Sequence, residues 1–125
     1  MMALAIGTDI VEIQRVAQVL ERQGDKFVQR ILSQAEQAEY QRLNQSIGFL
    51  AKRFAAKEAV AKALGTGIGH GVSFQDVSVV NNDKGAPAIE LTGGAAEILQ
   101  SKGGSKVLIS LADEQHYALA YAVLI

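Results

Sequence analysis

The segment from Lys57 to Lys62 holds the strongest candidates for chemistry. It reads Lys-Glu-Ala-Val-Ala-Lys, so Glu58 and Lys62 are four residues apart and share one face if the segment is helical. One interpretation is an ordinary exposed ion pair, which contributes only about 0.3–0.5 kcal/mol. The other interpretation is functional, because charges on a helix packed among its neighbours need a partner or a role.

Asp9 is the second unusual residue, because it lies inside the apolar run of residues 3–11. It could be the N-cap of a helix that follows this run. It could instead join Glu58 at a hard cation, since Mg²⁺ in proteins binds one or two carboxylates together with waters and substrate phosphates. Two carboxylates with a nearby lysine suit a diphosphate. Their separation in the sequence permits this contact without predicting it.

Glycine occupies every second position from Gly65 to Gly71. The pattern matches neither a Walker A loop nor the G-x-G-x-x-G fingerprint. It also follows a predicted helix, whereas phosphate loops open one. The sequence therefore predicts a helix C-cap and a flexible connector at this loop, and a phosphate cradle is the weaker alternative.

Arg15, Arg22 and Lys26 form a basic stripe. They fall within about 40° of one another on a helical wheel if the helix continues through Gly24. One interpretation is a solvated helix face, and the other is a docking stripe for an acidic protein partner.

The sequence lacks the residues that several other classes of chemistry require. The sequence has no cysteine, which excludes a disulfide scaffold, a thiolate metal site and a cysteine nucleophile. It has no G-x-S-x-G elbow, and neither His70 nor His116 has a partner at metal-ligand spacing. A net charge of −1 also argues against non-specific nucleic-acid binding, which usually needs a basic excess.

The elements that must position these residues follow the order of one strand, then helices, then strands around one more helix. We predict strands over residues 3–11, 74–80, 88–91, 106–111 and 117–125, and helices over 12–23, 33–43, 47–64 and 92–102. Ser33 and Glu36 form a capping box, and turn residues 81–85 predict a hairpin. The fold class is α+β, a single compact domain over residues 1–125 with a mostly antiparallel sheet.

The helix over residues 47–64 is predicted to be central. It carries six alanines between Phe49 and Leu64, and they lie on several faces. Small residues on all sides allow close packing, so the charged residues of this helix would line a cleft or an interface.

The chain is unusually apolar for its size. Of its 125 residues, 49% are hydrophobic, and the mean hydropathy is +0.14. The longest apolar run, residues 117–125, is far shorter than the roughly 18–20 residues that cross a bilayer, and the N-terminus lacks a signal-peptide pattern. We therefore expect a cytoplasmic protein that uses the apolar excess as an oligomer interface.

Two motifs in this order resemble the holo-(acyl-carrier-protein) synthases, the small 4′-phosphopantetheinyl transferases of fatty acid biosynthesis. The first is Gly-Thr-Asp-Ile-Val-Glu-Ile at residues 7–13. The second is Phe-Ala-Ala-Lys-Glu-Ala at 54–59, followed by Lys62 and Gly-Thr-Gly at 65–67. The resemblance covers nearly the whole chain.

The resemblance implies a role for each matching position. Asp9 and Glu58 match the Mg²⁺ ligands, and Lys62 matches the lysine near the diphosphate of coenzyme A. The other coenzyme A contacts are Arg53, Gly65 and Thr66. Arg15, Arg22 and Lys26 match the basic helix that receives the acidic carrier protein.

The resemblance also implies the reaction and the assembly. A serine of apo acyl carrier protein attacks the phosphate of coenzyme A that bears the pantetheine arm, and adenosine 3′,5′-bisphosphate leaves. The serine proton goes either to Glu58 or to a water on the metal. Family members form trimers with active sites at subunit interfaces, so we expect a homotrimer without a nucleic-acid or membrane partner.

Three positions depart from the family pattern. Ala112-Asp113 stands where many members have Ser/Thr-His, Asn44 and Gln45 replace basic residues, and Ala86 interrupts a Gly-Lys-Pro turn. These departures concern coenzyme A contacts and leave the expected reaction intact. The rival functions are a non-catalytic binding module and a metal-dependent phosphatase or nuclease, which could use the same carboxylates.

Overall fold

The computed structural model describes residues 2–125. Its five strands are β1 (Ala5–Glu12), β2 (Val77–Asn81), β3 (Pro87–Leu91), β4 (Val107–Asp113) and β5 (Tyr117–Leu124). Its five helices are α1 (Ile13–Gln23), α2 (Asp25–Ile31), α3 (Gln34–Arg42), α4 (Ile47–Leu64) and α5 (Gly93–Ser101), with a 3₁₀ turn at Phe74–Asp76.

The strands form two antiparallel sheets. One has the order β1-β5-β4, and the other pairs β2 with β3. The first and last strands pair along their whole length, from Ala5 opposite Leu124 to Glu12 opposite Tyr117. The predicted α+β class and antiparallel pairing are confirmed.

Helix α4 is the centre of the molecule, as its alanines predict. The Ser46 side chain accepts a hydrogen bond from the Phe49 amide at its start, and Gly65 ends it in the left-handed conformation with φ 86°. All six alanines of α4 are buried. Its two ends belong to two separate hydrophobic clusters, so α4 connects both halves of the core.

The helix predicted over residues 12–23 is confirmed, but the single helix through Gly24 that would place Arg15, Arg22 and Lys26 on one stripe does not form. Gly24 has φ 61° and ψ −141°, which no helical residue adopts. Helix α1 therefore ends at Gln23 and a separate helix, α2, begins at Asp25. Arg15 and Arg22 lie on α1, whereas Lys26 lies on α2.

Two further expectations are wrong. Asp9 is not an N-cap, because the strand continues past it and Glu12 occupies the N-cap position of α1. The predicted strand at residues 74–76 is a 3₁₀ turn, in which the Asp76 carboxylate accepts a hydrogen bond from the Ser73 amide at 3.2 Å. Such local side-chain bonds compete with strand pairing.

The outer face of the three-stranded sheet is apolar and exposed. Its large side chains are 41–64% exposed and come from all three strands: Ile6, Ile10, Leu108, Tyr117, Leu119 and Tyr121. Among the described residues, no helix has the length and apolar character needed to cross a bilayer.

Candidate functional site

The candidate site forms where β1 crosses α4, and Gly7 makes the crossing possible. A Cβ at Gly7 would overlap the carbonyl oxygen of Ala59 and lie 2.6 Å from the amide of Ala63. Only glycine allows such close backbone contact. Because side chains alternate along a strand, Asp9 lies on the same face as Gly7 and points toward α4.

Asp9 and Lys62 meet at this crossing. The Lys62 Nζ lies 3.0 Å from Asp9 Oδ1 and also donates to the Thr8 carbonyl oxygen at 3.0 Å. The Asp9 side chain is only 15% exposed, whereas that of Lys62 is 51% exposed. The carboxylate is thus enclosed, and the ammonium reaches it from the solvent side.

Glu58 lies one helical turn before Lys62 and is partly buried. Partial burial raises the pKa of its carboxyl, and the nearby Asp9 charge raises it further, while Lys62 and Arg30 oppose the shift. The carboxylates of Asp9 and Glu58 therefore lie close enough to interact electrostatically. The positively charged side chains of Lys62 and Arg30 are also near Glu58.

The chemistry of these donors fits Mg²⁺. Both groups offer carboxylate oxygens, which Mg²⁺ prefers, and one or two carboxylates are its usual protein complement. Within residues 2–125, no group of three or more histidine, cysteine, aspartate or glutamate side chains is arranged to hold a metal. Two carboxylates would leave the other coordination positions of such a cation to water and to a substrate's phosphates.

Arg53 lies at a separate cavity. This cavity of about 160 Å³ is lined by α3, α4 and β2, including Glu39 and Asn81. Arg53 is only 8% exposed, its guanidinium lies 4.5 Å from the centre of the Phe49 ring, and its buried Nε has no hydrogen-bond partner among residues 2–125. Burial lowers its pKa, and the carboxylates of Glu36 and Glu39 oppose this. A buried guanidinium with an unused donor suits an anionic ligand.

The loop after α4 serves as a helix cap. The amides of Gly65, Thr66 and Gly67 all donate to carbonyl oxygens of the last turn of α4. These amides are therefore occupied and form no phosphate cradle. The Lys102 ammonium, which no motif in the sequence marks, lies 3.5 Å from where a Gly65 Cβ would be and adds positive charge here.

The basic residues of α1 and α2 face solvent. Arg15, Arg22 and Lys26 are all exposed, and none of them makes an ion pair within the described part of the chain. Arg30, also on α2, lies 5.5 Å from the centre of the Phe74 ring. It extends the positive surface toward Glu58.

Lys57, next to Glu58 in the sequence, has a structural role. It is fully buried, and its Nζ donates to Glu36 Oε1 at 2.6 Å, to the Ile31 carbonyl oxygen at 2.6 Å and to that of Phe74 at 3.1 Å. No sequence signal separates this lysine from the exposed Lys62, since both occupy the same helix.

Asp113, at one of the departures from the family pattern, is paired locally. Its Oδ1 lies 3.6 Å from the Lys52 Nζ. This carboxylate neutralises a lysine of α4 and cannot supply a positive contact to a phosphate.

Comparisons with known proteins agree with this geometry. The family model of the 4′-phosphopantetheinyl transferase superfamily matches residues 5–122. A curated relative from Shewanella amazonensis, holo-[acyl-carrier-protein] synthase, is 54% identical over 124 residues and 99% of both chains.

Solved structures give the same result. The holo-[acyl-carrier-protein] synthase of Neisseria meningitidis is 38% identical, with a TM-score of 0.91 over 99% of both chains. That of Helicobacter pylori, solved in complex with coenzyme A, is 32% identical, with a TM-score of 0.84 over 96% of this chain and 99% of the other. With Asp9, Glu58 and Lys62 assembled at one crossing, this chain belongs to the 4′-phosphopantetheinyl transferase superfamily.

Proposed function

We propose that this chain is a cytoplasmic holo-(acyl-carrier-protein) synthase, carried by one domain over residues 1–125. It transfers the 4′-phosphopantetheine arm of coenzyme A to a serine of apo acyl carrier protein in fatty acid biosynthesis. The observation that carries the proposal is the meeting of Asp9, Glu58 and Lys62 at the crossing of β1 and α4. The curated relatives of the same length, which carry this enzyme name, support it.

Asp9 and Glu58 are the residues that would hold Mg²⁺. When bound, Mg²⁺ supplies positive charge to the diphosphate of coenzyme A and to the charge that develops on the leaving phosphate. The partial burial of both carboxylates strengthens their attraction for a cation, because water screens the charges less.

Lys62 and Arg53 would bind the phosphates of coenzyme A. The Lys62 ammonium is half exposed beside the carboxylates, so it can swing to a diphosphate without leaving the site. Arg53 lines the cavity beside β2, and its guanidinium charge would attract a phosphate there. Gly65 and Thr66 would contact the nucleotide through atoms other than their amide groups, because those amides donate to carbonyl oxygens of α4.

The reaction is a displacement at phosphorus. The serine oxygen of the carrier bonds to the β-phosphorus, the bond from that phosphorus to the bridging oxygen breaks, and adenosine 3′,5′-bisphosphate leaves with the electron pair. The serine proton must pass to a base. Glu58 is a candidate for this role, because its carboxylate lies in the site near Asp9 and Lys62.

Arg15, Arg22 and Lys26 would receive the acidic carrier. Their ammonium and guanidinium groups are exposed and unpaired within the described residues, and such a surface steers an acidic partner to the site. Arg30 lies between this surface and Glu58.

The apolar outer face of the three-stranded sheet supports a homotrimer. Ile6 and Ile10 are 59% and 64% exposed there, and a contiguous apolar face of this kind marks an interface. A second and a third copy would cover it.

One assay tests the function and separates its rivals. The chain is incubated with coenzyme A, Mg²⁺ and apo acyl carrier protein, and the carrier is weighed by mass spectrometry. A carrier bearing phosphopantetheine supports the transferase. Cleaved coenzyme A with an unmodified carrier would identify a hydrolase, and no turnover would identify a binding module. Asp9→Asn and Glu58→Gln should remain folded by circular dichroism and lose the transfer.

A further inference from the structure

The C-terminal end of α2 is held by side chains from distant segments. The last carbonyl groups of a helix have no partner within the helix. In α2 the Gln75 side-chain amide donates to the carbonyl oxygens of Gln29 and Leu32, both at 2.7 Å. Gln75 follows Phe74 in the 3₁₀ turn, so this turn is tied to α2 across 43 residues of sequence.

A second tie holds the same helix end. Lys57 donates to the carbonyl oxygens of both Ile31 and Phe74. The Arg30 guanidinium also lies over the Phe74 ring of the turn, 5.5 Å from its centre. The end of α2 and the 3₁₀ turn therefore form one rigid unit.

Helix α2 needs such support. It has only seven residues, too few to be stable alone, and the Gly24 break leaves its direction relative to α1 undetermined by helical geometry. The basic surface is divided at this break, because Arg15 and Arg22 lie on α1 and Lys26 lies on α2. The spacing of these charges thus depends on how α2 is held, by the burial of its apolar side chains and by the ties at its far end.

We propose that Gln75 is a positioning residue for carrier binding. By holding the end of α2, it keeps Lys26 and Arg30 at the spacing from Arg15 and Arg22 that an acidic carrier helix requires. It touches neither substrate. The inference rests on the proposed function, since it assumes that α1 and α2 bind the carrier.

The test uses Gln75→Met, which keeps an unbranched side chain of similar length, adds no charge and removes the amide donors. Gln100→Met on the exposed face of α5 is the matched control. For each full-length variant, KM is measured for apo carrier and for coenzyme A, along with kcat. Carrier affinity is measured by calorimetry and amide hydrogen exchange by mass spectrometry.

We expect Gln75→Met to raise the carrier KM and Kd roughly fivefold, the effect of about one hydrogen bond. The KM for coenzyme A and kcat should stay within twofold of those of the unaltered chain, about the scatter of a neutral surface change. The amides of α2 should exchange faster, while those of α5 do not change. Gln100→Met should change none of these quantities.

Two results would overturn the inference while the proposed function stands. One is an unchanged carrier Kd in Gln75→Met, and the other is an equal rise in both KM values, which points to a general structural defect. If the unaltered chain itself failed to bind the carrier, the proposed function would fall together with this inference.

Discussion

The Lys62 ammonium lies 3.0 Å from the Asp9 carboxylate although the two residues are 53 positions apart. The contact exists because Gly7 lets β1 lie directly on α4. One glycine thus determines whether the charges of two motifs form a single site.

Replacing Lys62 with methionine should slow the transfer with little effect on the fold. The ammonium is half exposed, so its loss leaves no cavity. A positive charge at a developing phosphate charge contributes about 10²-fold to the rate. Single-turnover modification of the carrier, followed by mass spectrometry, measures the effect. Lys106→Met, which alters an exposed lysine, is the control, and equal rates in the two variants would contradict the assigned role.

Glu58→Gln should stabilise the chain near neutral pH when a chelator is present. Burial and the Asp9 charge raise the pKa of Glu58 in the fold, so the folded state holds this proton more tightly than the unfolded chain does. Protonated Glu58 therefore contributes its full stabilisation below the pKa that this group has in the unfolded chain. That contribution is lost as the pH rises through the pKa of Glu58 in the folded state.

The ionised carboxylate therefore costs stability at neutral pH, and glutamine removes that cost. Thermal melts of both proteins from pH 3 to pH 8 should show a higher Tm for the variant at pH 7, with the difference vanishing at the acid end. A variant that melts lower at pH 7 would refute the coupling.

Gly7→Ala should destabilise the chain and abolish transfer together. Its methyl group would overlap the Ala59 carbonyl oxygen, and forcing extra volume into a packed site costs about 1–3 kcal/mol or more. Urea unfolding measures the loss.

Gly48→Ala is the matched control, because a Cβ there meets only the Ser46 Oγ at 3.7 Å. This glycine lies in the first turn of α4, where alanine should add about 0.5–1 kcal/mol. Equal stability in the two variants would show that β1 and α4 can move apart to accommodate a methyl group at position 7.

Lys57→Met should cost about 3–5 kcal/mol, because it leaves the buried Glu36 charge without its partner. It also removes the donor to the Ile31 and Phe74 carbonyl oxygens. Chemical denaturation measures the change, and Lys52→Met, at a partly exposed lysine of the same helix, should cost under about 1 kcal/mol. Similar losses at both positions would remove the distinction between the buried and the exposed pair.

Ile6→Lys should convert the proposed trimer into single chains. A lysine in the centre of an apolar interface leaves three unpaired charges near one another once the copies assemble. Light scattering after size exclusion measures the state, and Gln100→Lys, outside the apolar face, should leave it unchanged. An unaltered chain that runs as a monomer at every concentration would exclude the trimer.

The parts of the fold that the sequence predicts are those with local signals. Helix α4 has its capping serine, its alanines and its terminal glycine within one segment, and its predicted bounds are confirmed. The Ser33–Glu36 capping box is confirmed for the same reason.

The parts that escaped prediction depend on distant contacts. Helix α2 is held by Gln75 and Lys57, neither of which its own seven residues reveal. Asp9 resembles a helix cap locally, yet its position is set by pairing with Ala120 of β5. Of the site, the two motifs identify the residues, but their meeting requires the sheet register and the glycine crossing.

The pairing of β1 with β5 determines when during synthesis the site can form. The strand that carries Asp9 leaves the ribosome first among the strands, and the partner that aligns it leaves last. The register that aligns Asp9 is therefore complete only after β5 has been made. Fragments that lack β5 should therefore have no competent site.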